Sequence, residues 1–250
     1  MAKRKKKINK IGNIKLHPFL AFILTLFVIY INTVYKDEID YILNGMNNTT
    51  TDISYSLKDI PEYSNTPYVV INNNEPFFDS DSITTNDFEK YSRLDSLGRC
   101  GVAFANVSID TMPTEERGSI GSVKPSGWQT VKYNNIDGKY LYNRCHLIGY
   151  QLTGENANKQ NLITCTRYMN VTGMLYFENK VAEYVKKTNN HVMYRVTPMY
   201  DGDNLLASGV LMEALSVEDN GKGIKFNVYV YNVQDGISIN YKDGTSKLEK

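Results

Sequence analysis

Three runs toward the C-terminus decide the fold class: HVMYRVTPMY at 191–200, LLASGVLMEALS at 205–216 and GIKFNVYVYNVQ at 223–234. Each is rich in β-branched and aromatic residues, the composition of strands. The third continues past an Asp235-Gly236 turn into 237–241. Successive strands with few helices between them pair antiparallel through hairpin turns, because a parallel neighbour needs a long crossover. The expectation is an α+β domain on an antiparallel sheet, not a doubly wound parallel one.

Working outward, the strongest helix signal precedes these strands. From Thr166 to about Lys187, Val171, Met174, Phe177, Val181 and Tyr184 form an apolar stripe at helical spacing, and Asn189-Asn190 is the stop. Upstream, Thr130-Val131-Lys132-Tyr133 and Lys139-Tyr140-Leu141-Tyr142 flank an Asp137-Gly138 turn and read as a hairpin. Tyr68 to Ile71 and Val102 to Val107 are further strand candidates. Between them, Phe88, Tyr91 and Leu94 have helical spacing, predicting a short helix over 87–97. Met112 to Gly127, rich in Gly, Ser, Pro and charge, reads as a long surface loop, and such loops are usually functional.

Composition sets the outer limits. The 250 residues are 42% apolar and 22% charged with 19 Tyr, which excludes a disordered chain. The near-neutral total hides a segregation: residues 1–15 carry seven Lys or Arg and no acid, and residues 16–35 carry no charge. The remainder has 21 basic against 27 acidic side chains, a balance of −6. The 20-residue uncharged stretch LHPFLAFILTLFVIYINTVY is long enough for one helical crossing of a bilayer. Its flanks keep the basic end in the cytoplasm and export the rest. No small-residue cleavage site follows Ile31, so an uncleaved anchor at the cell membrane is expected; cleavage would make the domain secreted. The organisation is thus a basic cytoplasmic tail (1–15), a transmembrane signal-anchor (16–35), a polar linker (36–66) and one folded domain (67–250).

Chemistry is confined to few places. The sequence has no GxxxxGK[ST] or GxGxxG loop for a nucleotide cofactor, no G-x-S-x-G elbow and no HExxH helix. Its three Cys lack the CxxC spacing of a zinc site. His17 lies in the apolar segment, leaving His146 and His191 for imidazole chemistry. His191 opens a strand and reads as an ordinary half-exposed residue there. His146 sits in LYNRCHLIGY (141–150), where Arg144, two residues away, shares its side of an extended strand. A neutral imidazole beside a guanidinium suits attack of water on a phosphodiester. By itself the pattern is more safely read as a histidine satisfied in a core. Downstream, GENANKQN (154–161) and TRYMN (166–170), with Arg167 and Glu178, add amide and carboxylate oxygens that suit a hydrated hard cation such as Mg²⁺ and not zinc.

Asn143-Arg144-Cys145-His146 resembles the D-R-G-H signature of the DNA/RNA non-specific endonucleases, the ββα-metal (His-Me finger) nucleases. The runs Leu147 to Leu152, Asn161 to Thr164 and Thr166 to Val171 look most like the streptococcal DNA-entry and secreted nucleases. The similarity extends from about Tyr91 to Tyr231. It implies a hairpin followed by a helix clasping one Mg²⁺, with Mn²⁺ as an alternative. His146 matches the general base, Asn170 the metal-holding asparagine and Asn161 an asparagine that supports the catalytic site. Arg144 matches the signature arginine, and Glu178 a carboxylate behind the metal. The implied reaction is sequence-non-specific hydrolysis of DNA, with RNA included, to 5′-phosphate ends. Arg144 and Arg167 would hold phosphate oxygens, contacts that read backbone rather than sequence. Trp128 beside Gln129 would offer a stacking platform for substrate, although a Trp packed in the core is the plainer reading.

Two departures oppose full carry-over: Asn143 replaces the acid and Cys145 the glycine of D-R-G-H. They favour an alternative, a membrane-anchored nucleic-acid-binding protein that keeps the nuclease fold without turnover. Cys145 also raises a Cys100–Cys145 disulfide with Cys165 left free, since an exported domain can oxidise. The balance of −6 is a poor global match to a polyanion, so a local groove near Lys124, Lys132, Lys139, Arg144, Lys159 and Arg167 is required.

Overall fold

A computed structural model describes residues 55–249. The basic tail, the apolar segment and the linker up to residue 54 lie outside the described residues. In chain order the elements are β1 (Tyr68–Val70), β2 (Phe88–Tyr91), β3 (Ala103–Val107), β4 (Tyr142–His146), α1 (Tyr150–Thr153) and β5 (Leu162–Thr166). A π-helical turn (Met169–Met174) then leads into α2 (Leu175–Thr188), followed by β6 (Val192–Met199), β7 (Gly209–Ser216), β8 (Lys225–Tyr231), β9 (Ile237–Ile239) and β10 (Ser246–Leu248). No helix among the described residues is long and apolar enough to cross a membrane.

The three deciding runs are β6, β7 and β8, consecutive antiparallel neighbours in a six-stranded sheet of order β1-β8-β7-β6-β3-β2. Alternation puts Val192, Tyr194 and Val196 of β6 and Phe226, Val228 and Val230 of β8 on the face that α2 covers. Phe177, Val181 and Val185 of α2 meet that face, with the Phe177 and Phe226 rings 4.8 Å apart. Fully burying each such side chain stabilises the fold by about 1.5–3 kcal/mol. Gly173 brings the π turn down onto β8, where an added Cβ would lie 2.3 Å from Val230 Cγ1. The other face is covered by Tyr55, Leu57, Ile60, Tyr63 and Phe77 around Tyr229 and Tyr231. The compact unit therefore starts at Tyr55, and residues 55–66, expected as linker, pack against the sheet.

The second layer is the finger. β4 and β5 form a separate antiparallel pair, Tyr142 opposite Thr166 and His146 opposite Leu162, and feed the π turn and α2. Four expectations need correction here. The 87–97 segment is not a helix: Phe88–Tyr91 pairs with β3 along the sheet edge, and Leu94 and Leu97 stay exposed with no core to face. The 130–142 hairpin closes only through a Lys132–Tyr140 bridge, because Gly138 and Lys139 take positive φ and Tyr142 turns to β5 instead. The long helix starts after Thr166, which still belongs to β5, and its first part is π-wound. That extra residue in the turn rotates Val171 out to solvent while Met169 and Met174 stay buried. The disulfide joins Cys145 to Cys165 across β4 and β5, with Cα atoms 5.9 Å apart, and leaves Cys100 as a buried free thiol. Cys145 and Cys165 point to the same core-facing side of one ladder, whereas the Cys100 thiol donates to the Lys159 and Leu162 carbonyls.

Candidate active site

His146 is the last residue of β4 and is 6% exposed. Its Nε2 lies 2.7 Å from the Asn156 carbonyl oxygen and its Nδ1 3.3 Å from Nη2 of Arg117. A carbonyl only accepts and a guanidinium only donates, so Nε2 carries the proton and Nδ1 presents its lone pair. Burial lowers the imidazole pKa below its usual value of 6.5, and the Arg117 charge adds to this against the opposing Asn156 carbonyl. The ring is thus held neutral with a basic nitrogen facing the cleft.

The cleft consists of two adjoining cavities. One, of about 340 Å³, is lined by Arg117, Arg144, His146, Asn170 and Glu178 among others. The second, of about 580 Å³, shares Arg117, Arg144 and Asn170 and adds Asn143 and Trp128. Arg144 and His146 reach one cavity because residues two apart on a strand share a side. Asn170 reaches it from the π turn, whose widened ring is closed by the Leu175 N–H donating to the Asn170 carbonyl.

Glu178, one turn into α2, is 8% exposed, and burial pushes its pKa up to about 7 despite the pull of Arg117. It lies so close under the β4–α1 turn that a Cβ on Gly149 would stand 2.6 Å from Glu178 Oε2. The Asn170 amide has no protein hydrogen-bond partner among the described residues, and no cluster of three His, Cys, Asp or Glu occurs among them. An unengaged amide oxygen with one buried carboxylate behind it fits a hard divalent cation that keeps most of its water. With His146 the one nitrogen donor in the cavity, it falls short of the four His and Cys donors of a structural zinc site.

The remaining expected site residues fall elsewhere. Asn161 is fully buried and does not line the cleft. Its Oδ1 accepts from Ile148 N (2.9 Å) and its Nδ2 donates to Ile148 O (3.0 Å), clamping the turn after His146. Arg167 turns away to pair with Asp137 at 2.6 Å, and Gln129 donates to the Asp243 carbonyl. Trp128 lies at the cleft wall under the Arg144 guanidinium, 4.0 Å from ring centroid to Cζ, and packs beside Ile136, Leu141 and Tyr142. Arg144 also donates to the Gly121 and Val123 carbonyls, so backbone oxygens hold it where Asn143 supplies no acid. His191 pairs with Glu218 outside the cleft. Arg117 is the residue that sequence reasoning missed: only the functional character of the 112–127 loop pointed to it.

A hairpin that feeds a helix, with an imidazole from the strand and a carboxamide from the helix start on one cleft, defines a ββα finger seated on an antiparallel sheet. The chain belongs to the DNA/RNA non-specific endonuclease family, whose model matches residues 80–218, more than half of its length. A deoxyribonuclease of Streptococcus dysgalactiae subsp. equisimilis is 38% identical over 118 residues, 45% of this chain and 34% of the relative. This chain thus spans about a third of the length of that curated relative. Among solved structures, NucA from Streptococcus agalactiae with magnesium bound is 26% identical with a TM-score of 0.64, covering 74% of this chain and 91% of NucA. The Sda1 nuclease with bound zinc is 32% identical with a TM-score of 0.55, covering 65% of this chain and 80% of Sda1.

Proposed function

We propose that this chain is a metal-dependent, sequence-non-specific endonuclease that hydrolyses phosphodiester bonds of DNA, and of RNA, to 5′-phosphate ends. The observation that carries the reading is the meeting of His146 Nδ1, Asn170 and two arginines at one cleft. His146 Nδ1 takes a proton from the attacking water as its oxygen bonds to phosphorus, while the Nε2–H bond to Asn156 fixes the ring. Arg117 gives up Nδ1 to that water and, with Arg144, holds the phosphoryl oxygens as charge grows on them. The P–O3′ bond breaks, and the departing 3′ oxygen is protonated from solvent. Asn170, with Glu178 behind it, would hold a divalent cation, Mg²⁺ by the oxygen character of the donors, with Mn²⁺ the alternative. Such an ion supplies positive charge at the leaving oxygen. The bound magnesium of NucA supports this choice, and the bound zinc of Sda1 makes the divalent ion itself part of the test.

The uncharged 16–35 segment with its basic flank supports export with the domain outside a membrane anchor. The non-catalytic alternative loses ground to the local geometry: Cys145 is absorbed into the core disulfide, and Asn143 leaves Arg144 held by carbonyls. Plasmid nicking in Mg²⁺ against EDTA separates the two readings. Cleavage in Mg²⁺ alone supports the nuclease; an inert wild type under several divalent ions supports the binding protein.

A further inference from the structure

Arg144 lines both cavities of the cleft, and no carboxylate pairs with it among the described residues. A long side chain loses rotamer entropy when it is held, so something must hold it. Its three contacts come from one segment, residues 121–128. Nε donates to the Val123 carbonyl, Nη2 donates to the Gly121 carbonyl at 2.8 Å, and Cζ lies over the Trp128 ring, 4.0 Å from the centroid. Two of the five guanidinium N–H groups are thus spent on neutral oxygens, and three stay available with the positive charge undiminished. A carboxylate would take a fork of N–H groups and cancel the charge that a phosphoryl group needs. A ring face attracts the cation through its quadrupole and takes no N–H.

The ring is itself held in register with the arginine. Arg144 stands opposite Thr164 in the β4–β5 ladder. The buried Thr164 hydroxyl donates to the Ser126 carbonyl at 2.8 Å, and the Ser126 hydroxyl donates to the Leu205 carbonyl at 2.6 Å. The Trp128 N–H closes the turn onto the Pro125 carbonyl at 3.2 Å. Inside this turn Gly127 takes a φ of +63°, and a Cβ there would stand 2.1 Å from Leu206 Cδ1. The cross-strand neighbour of the arginine therefore anchors the turn that carries the ring. Packing beside Leu141 and Tyr142 makes the ring a fixed wall.

We propose that Trp128 is a positioning residue for Arg144: its ring fixes the guanidinium at the cleft with its charge intact, so that the three remaining N–H groups meet the phosphoryl oxygens as charge grows on them. This role differs from that of a stacking platform for bases, and it rests on the nuclease reading of the cleft.

The test uses the full chain with Trp128→Leu, Trp128→Phe and Thr164→Val, each also in an Arg144→Ala background. Values of kcat and KM are measured on a dual-labelled oligonucleotide in Mg²⁺, with circular dichroism on every protein. Trp128→Leu is expected to lower kcat about two- to thirtyfold, the range spanned by a cation–π contact, with KM little changed. Trp128→Phe, which keeps a ring face, should retain most of the rate. In the Arg144→Ala background Trp128→Leu should add no further loss, because the ring acts through the guanidinium. Thr164→Val is nearly isosteric and removes the tether to Ser126, so it should show the same dependence on Arg144 in milder form and decides the question if Trp128→Leu fails to fold. Trp128 is the only tryptophan of the chain, so its emission reads the contact without substrate, and the maximum should differ between wild type and Arg144→Ala. Equal losses of kcat in both backgrounds, or identical emission, overturn the proposal. A rise in KM alone also overturns it and makes Trp128 a platform for substrate. A wild type inert under every divalent ion overturns the nuclease reading instead, while emission still tells whether ring and guanidinium meet.

Discussion

Replacing Asn161 by alanine separates a residue that shapes the site from one that takes part in the reaction. The side chain is fully buried and makes both of its hydrogen bonds to the backbone of Ile148, at 2.9 and 3.0 Å. Truncation leaves a buried N–H and a buried carbonyl unpaired, each costing about 1–3 kcal/mol, so a loss of about 4 kcal/mol is expected. For a domain of this size that corresponds to a fall in Tm of roughly 8–16 °C. Because Ile148 leads into Gly149 and the cleft-lining Tyr150, cleavage should fall through the same loosening and recover in part at lower temperature. Urea unfolding followed by circular dichroism gives the stability, and plasmid nicking at two temperatures gives the activity. An Asn161→Ala protein with the wild-type urea midpoint and abolished cleavage at both temperatures would refute the clamp and put this amide in the chemistry.

Titrating thiols in the denatured, unreduced chain should find one, Cys100, and three would remove the Cys145–Cys165 bridge. The bridge spans 20 residues, so its reduction should cost about 3 kcal/mol of stability by loop entropy, read as a lower urea midpoint. Lowered in the folded state, the His146 imidazole loses its base function only as pH falls through a value below 6.5. Arg117→Ala, by removing one cause of that lowering, should move the acid limb of kcat/KM upward; a limb that moves down contradicts the assignment. The Glu178 carboxyl holds its proton more tightly folded (about 7) than unfolded (4.5), so in EDTA its contribution is fully present below pH 4.5 and lost as pH rises to 7. That loss is about 3 kcal/mol for wild type and should vanish in Glu178→Gln, which denaturant melts across the window would show.

The antiparallel sheet was legible because β6, β7 and β8 are local neighbours whose strand composition and turns agree. So was the placing of Arg144 and His146 on one side of β4, a consequence of the two-residue strand period. The ladder of β4 was not, since its partner β5 lies across a 15-residue connection that carries no tight-turn signal, and the cysteine pairing followed that ladder. Helical periodicity assumes 3.6 residues per turn throughout, so the π turn that aims Asn170 and exposes Val171 was invisible to it. Phe88 and Tyr91 satisfy helical spacing, and the β3 edge, which sequence does not show as open, made that segment a strand. Arg117 reaches His146 from an irregular loop, where no period predicts a direction.

The most direct test compares plasmid cleavage by wild type, His146→Ala and Asn170→Ala in Mg²⁺ and in EDTA, with circular dichroism on each protein. Cleavage by wild type in Mg²⁺ alone is predicted, with a drop of about 10²–10⁴-fold in the His146→Ala protein and a comparable loss in the Asn170→Ala protein, both folded. A folded variant of either kind that nicks plasmid at the wild-type rate would contradict the account.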